Sequence, residues 1–132
     1  MVNRVNRLAE GLLGGWRLES FISRSDGTDE VRYPFGEKPS GLILYTSDGH
    51  MSAQLTPGDH SQFVSYGGRF DVDEAAAEVC HRVMISTMPE LLHQPQIRHA
   101  RIDGDRLTLS ATQTSATGRV TQSTLVWRRD TG

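Results

Sequence analysis

The sequence holds a single cysteine, Cys80, so no disulfide can form within the chain. No apolar run approaches the roughly 18 residues that a membrane helix needs. Residues 1–7 carry positive charge, but Glu10 and Gly11 interrupt the apolar set Leu8, Leu12 and Leu13 beyond them. A signal peptide is therefore not expected, and the cytoplasm is the expected location. Positive charge is not in excess either. A formal net charge of -2 argues against a nucleic-acid partner, which calls for a basic face. The five histidines (50, 60, 81, 93 and 99) form no i, i+4 helical pair and no His-x-His, so no metal site is expected. There is no Gly-x-Ser-x-Gly elbow, and the acidic run 71–74 lacks the spacing of a calcium loop. No cofactor and no membrane partner are expected.

What remains is a chain of 132 residues, read as one domain over 1–132 and long enough to bury about two-thirds of its unfolded surface. Residues 3–13 have a helical pattern, with Val5, Leu8 and Leu12 at i, i+3 and i+7, Asn3 as cap and Gly14 as stop. From Gly15 the period changes to two. Trp16, Leu18, Ser20 and Ile22 alternate with Arg17, Glu19, Phe21 and Ser23. Val31, Tyr33 and Phe35 suggest a second strand, at an edge because Pro34 cannot donate to a ladder. Residues 42–46 and 50–55 flank the turn Ser47-Asp48-Gly49, with Met51, Ala53 and Leu55 on the apolar face. Tyr66, Gly68, Phe70 and Val72 alternate with Gly67, Arg69 and Asp71; the Gly67-Gly68 pair marks a bulge or bend. A further hairpin joins 96–102 to 106–112 through Asp103-Gly104-Asp105, with Leu107, Leu109 and Ala111 facing the core. The last strand spans 119–128.

About nine short strands joined by local turns predict an all-β fold, an antiparallel up-and-down barrel of roughly eight to ten strands with a short N-terminal helix. In a meander of nine strands, the turns at Asp26-Gly27, Asp48-Gly49 and Asp103-Gly104 fall at one end. The longer loops 34–41, 56–65 and 88–95 then fall at the other, with the helix. Either the loops cover a mouth, or helix and loops plug that end.

The stretch 78–87 stands out. A period of two puts Val79, His81, Val83 and Ile85 on one face, so an ionisable imidazole lies in an apolar row. Burial there disfavours the charged form of His81 and lowers its pKa. A neutral imidazole can take a proton or bond a ligand carbonyl; it can equally be a core histidine satisfied by a tyrosine or a backbone carbonyl. Tyr66 lies on the strand expected to pair with that of His81, within reach of a hydrogen bond. Cys80 has the opposite phase and faces outward. Arg98 and Tyr45 are ambiguous from alternation alone.

The ordered set Gly14-Gly15-Trp16-Arg17-Leu18, residues 39–45 (PSGLILY), Asp48-Gly49-His50-Met51-Ser52, Tyr66-Gly67-Gly68-Arg69-Phe70, His81, Gln96-Ile97-Arg98, Asp103-Gly104-Asp105-Arg106-Leu107 and Leu125-Val126-Trp127-Arg128 resembles the lipocalin-like domain family of short bacterial and fungal single-domain barrels. The chain departs from it at His50, where the family usually carries an aromatic residue. The resemblance covers nearly the whole chain and implies a closed barrel with an internal cavity. It places Arg98 toward the inside. It also implies that an arginine near the last strand, Arg128 or Arg129, packs over Trp16 by a cation–π contact. The same fold hosts carriers, cofactor-free enzymes and filled barrels.

Three functions are therefore weighed. In the first, the barrel binds a small apolar or amphipathic molecule. Met51, Phe70, Val79, Val83 and Leu109 line the cavity, Tyr45 is a further candidate, and His81, Tyr66 and Arg98 fix the polar end. In the second, it is a cofactor-independent isomerase, cyclase or dehydratase acting on a carbonyl-containing, polyketide-like metabolite. There His81 is the general acid or base, with Tyr66 or Arg98 stabilising developing charge. In the third, side chains fill the barrel and the domain is structural. A homodimer through Phe21 and Met84 is also considered.

Overall fold

The computed structural model describes residues 7–28 and 30–131. The expected cap Asn3, with Val5, lies outside them. The helical pattern gives α1 (Arg7–Leu12), and Gly14 comes after it with φ of 110°, a conformation that favours glycine. The alternating segments become β1 (Gly14–Ser25), β2 (Val31–Arg32), β3 (Ser40–Tyr45), β4 (His50–Thr56), β5 (Val64–Asp73), β6 (Glu78–Ser86), β7 (Gln96–Asp103), β8 (Arg106–Thr114) and β9 (Val120–Arg129). From β3 to β9 each strand pairs antiparallel with the next. β1 pairs with both β3 and β9, and this closes an eight-stranded barrel. β2 stands outside the ring and pairs only with Ser23 and Arg24 of β1. Pro34 ends it after two residues, short of the strand expected through Phe35.

That loss of one stave corrects the assignment of the ends. The loops 26–39, 57–63, 87–95 and 115–119 share one end, so Asp26-Gly27 lies among the long loops. α1 lies at the opposite end with the turns at Asp48-Gly49 and Asp103-Gly104. Glu74 holds it there: its carboxylate oxygens accept from the backbone N–H groups of Leu8 and Ala9 at 2.8 and 3.0 Å.

The core is built largely from the expected inward residues. Trp16, Leu18, Met51, Ala53, Leu55, Val79, Leu107 and Leu109 are buried, with Leu12 of α1 and Trp127 of β9. Two bulges change the phase where strict alternation is expected. In β1 the pairing with β9 shifts between Leu18 and Ser20, so the extra residue, Glu19, turns outward. There it meets Arg106 and Arg128 at 3.3 Å each. Phe21 consequently turns in and stacks edge-on with Phe35, centroids 5.4 Å apart; it is not a surface contact residue. In β6 the pairing with β5 shifts so that Gly67 opposes Ile85 and Gly68 opposes Val83. Met84 is the extra residue, and both Met84 and Ile85 face out, 68% and 74% exposed. Ile85 therefore leaves the row of Val79, His81 and Val83. A Cβ on Gly68 would collide with the carbonyl oxygen of Arg82, which is why glycine sits opposite the bulge.

The helix end is latched as the Trp16 motif implies, and the arginine is Arg129. Its guanidinium lies 3.9 Å from the Trp16 ring centroid and donates to the carbonyls of Leu13 and Gly11. The Trp16 indole donates to the Leu12 carbonyl at 2.9 Å. Among the described residues, no helix is long and apolar enough to cross a membrane.

Candidate functional site

β6 and β7 pair only through Glu78–His81 and Gln96–His99. Beyond His81 the two strands diverge, and a 3-10 turn at Pro89–Leu92 occupies the connection. His81 thus stands at the point where the wall opens toward the long-loop end. It is 1% exposed. Burial, followed by the charge of Arg98, lowers its pKa to about 3, so the ring is neutral at physiological pH.

Both ring nitrogens face tyrosines. Tyr45 Oη lies 2.7 Å from Nε2, and Tyr66 Oη lies 3.4 Å from Nδ1. Tyr45 is 2% exposed, and among the described residues its hydroxyl has only His81 as a partner. The Tyr45 hydroxyl therefore donates to Nε2, and the single proton of the neutral ring resides on Nδ1, directed at the Tyr66 oxygen. The Tyr66 hydroxyl proton is left to point elsewhere. Burial also raises the pKa of both phenols, most strongly that of Tyr45; Arg98 opposes this. All three groups are thus held in their neutral forms.

Tyr66, His81 and Arg98 share the wall of a cavity of about 370 Å³ inside the barrel. Ile43, Leu55, Leu109, Leu125 and Trp127 form much of its apolar lining. Phe35, Gln62, Met88 and Leu91 come from the long loops and place its mouth at that end. Among the described residues the wall contains no carboxylate. Arg98 donates to its neighbour's carbonyl, Ile97 O, at 3.0 Å and to Gln96 Oε1 at 3.3 Å. Gln96 is itself held by the carbonyls of Gln94 and Leu91 at 2.9 and 3.5 Å. A glutamine two residues from an arginine on one face was the only sequence signal for this support.

Of the residues singled out from sequence, His81, Tyr66, Arg98 and Leu109 come together around the cavity. Tyr45 sits behind His81 and points inward, which settles its ambiguous phase. Met51, Phe70, Val79 and Val83 do not form the wall. Met51 and Val79 belong to the packed core, and Phe70 packs edge-on against Tyr45 with centroids 4.9 Å apart. Periodicity missed Phe21, because of the β1 bulge, and Trp127. The Trp127 indole N–H is the one buried side-chain donor without a partner among the described residues. Cys80 is half-buried and points away from His81, as expected. His50 is exposed and pairs with Asp48 at 3.1 Å. Among the described residues no cluster of three metal-ligating side chains occurs.

Comparison with curated proteins returns no match. A family model described as a lipocalin-like domain matches residues 13–63 and 58–130, two overlapping stretches that take in every stave of the barrel. Such barrels bind small molecules in general. With motif order, closed eight-stranded topology and family match in agreement, the chain belongs to the lipocalin-like domain family.

Proposed function

We propose that the protein binds a small amphipathic molecule in the barrel, its apolar body among Phe21, Phe35, Leu91 and Leu125 and its polar end at Tyr66, His81 and Arg98. The observation that carries this reading is the cavity. At about 370 Å³ it falls within the range of small-ligand sites, mostly apolar with a few convergent polar groups. A barrel packed by its own side chains would leave no such volume. Native mass spectrometry of the protein purified from its own host tests the reading. The expected result is a retained molecule in one-to-one ratio whose retention is weakened or lost in an Ala111→Phe variant, where the new ring takes up part of the cavity. A folded wild type that retains nothing and is stabilised by no amphipathic compound overturns it.

Catalysis without a cofactor is a second reading, and one feature favours it: the hydrogen-bonded series Tyr45–His81–Tyr66 ending in a free hydroxyl proton at the cavity. Tyr66 would protonate or polarise a ligand carbonyl, with His81 orienting it. Against His81 as a direct general base stands its pKa of about 3, far below the operating pH at which a base works best. Binding ranks first for that reason. Turnover of a carbonyl substrate that is lost in Tyr66→Phe while binding persists would reverse the order.

A further inference from the structure

We infer that the molecule taken into the barrel carries a carboxylate, and that Arg98 is its counter-ion; this rests on the cavity-binding reading above. The electrostatics of the wall lead there. Arg98 is half-buried at the cavity, and its guanidinium has five N–H donors. Two are engaged, both by neutral acceptors, Ile97 O and Gln96 Oε1. No carboxylate forms an ion pair with it among the described residues. Among the described residues no aspartate or glutamate lines the cavity. A half-buried cation without a counter-charge is costly, and a ligand anion offsets that cost.

The neighbouring groups agree in sign. His81 is neutral and directs its Nδ1 proton at the Tyr66 oxygen. This leaves the Tyr66 hydroxyl as a donor. Trp127, another wall residue, has a buried indole N–H with no acceptor among the described residues. Gln62, Gln113 and Ser123 of the wall can donate or accept, whereas Arg98, Tyr66 and Trp127 offer donors, so a ligand oxygen bearing negative charge satisfies more of these three than an ammonium or an alkyl end. A planar carboxylate also matches the fork of a guanidinium in two parallel bonds. Gln96, fixed by the carbonyls of Gln94 and Leu91, holds that fork at the cavity.

Isothermal titration calorimetry with the full chain at neutral pH tests this with three probes of one chain length: decanoate, decanol and methyl decanoate. Charge-assisted bonds to a guanidinium predict that decanoate binds about tenfold or more tighter than either neutral probe. Arg98→Gln should erase that preference, because decanoate loses far more affinity than decanol; Arg98→Lys should keep part of it. Should Arg98→Gln not fold, wild type alone decides. Its preference for decanoate must fall as pH drops through the carboxyl range, where the probe loses its charge and His81 stays neutral. Equal binding of all three probes, or a preference that survives Arg98→Gln, overturns the assignment of the anion and leaves the cavity reading standing. Saturable binding of none of them overturns both.

Discussion

The two ends of this barrel spend their residues differently. At the helix end Trp16, Leu12 and Tyr45 are almost fully buried, and Arg129 and Glu74 tie α1 down with hydrogen bonds to backbone. At the loop end the interior is left open, the wall is lined by Phe21, Phe35 and Leu91, and Arg98, the one cation at the cavity among the described residues, donates to neutral partners. In a closed barrel stability can be concentrated at one end and the cavity kept at the other. The polar trio lies at the boundary: Tyr45 belongs to the packed side, Tyr66 to the open side, and His81 joins them.

This contrast can be broken most severely at the helix end. Trp16→Ala removes the ring under Arg129, and chemical denaturation should register a loss of about 3–5 kcal/mol. A loss no larger than that of Leu91→Ala at the mouth would erase the distinction between the ends. The boundary is probed by acid. The pKa of His81 is depressed from 6.5 to about 3 in the folded state, so between those values the unfolded chain binds the proton and the folded one does not. The contribution is complete above about pH 6.5 and is lost as pH falls toward 3, with a slope approaching about 1.4 kcal/mol per pH unit. In His81→Phe this component of the slope should vanish; an unchanged slope would place the titration elsewhere. Tyr45→Phe leaves Nε2 of His81 buried without its donor, and unfolding curves should show a loss of about 1–3 kcal/mol. Smallest is Glu74→Gln, which weakens the tether of α1. Its expected cost is about 1 kcal/mol, with ligand affinity unchanged in calorimetry because the mouth is at the other end.

Much of this arrangement was legible in the sequence. Alternation placed Met51, Ala53, Leu55, Leu107 and Leu109 inside, and put His81 in an apolar row. What alternation cannot register is an inserted residue. Glu19 and Met84 each reverse the phase of the residues after them, which turns Phe21 in and Ile85 out. A two-residue period holds no information on where the count slips; the glycine pair at Gly67-Gly68 was the only hint. The ends were misassigned for a related reason. Counting the segment after Val31 as a stave reversed the direction assigned to α1 and Asp26-Gly27 relative to the rest. Tyr45 was undecided because its strand is apolar on both faces, with Leu42 and Leu44 alternating against Ile43 and Tyr45. Arg98 was undecided because its strand mixes polar and apolar residues on each face. Contacts between distant strands, Tyr45 with His81 across 36 positions, are set by closure of the ring and by no local pattern.

The pairing of Trp16 with Arg129 has a practical corollary. The described chain enters through α1 and leaves through the end of β9 on the same side of the barrel, opposite the mouth. A linker bridging Arg7 and Arg129 would rejoin them without crossing the ligand path, so a circular permutant opened in a loop is a reasonable design. Immobilised by a tether at either of those positions, the protein would present its cavity to solution.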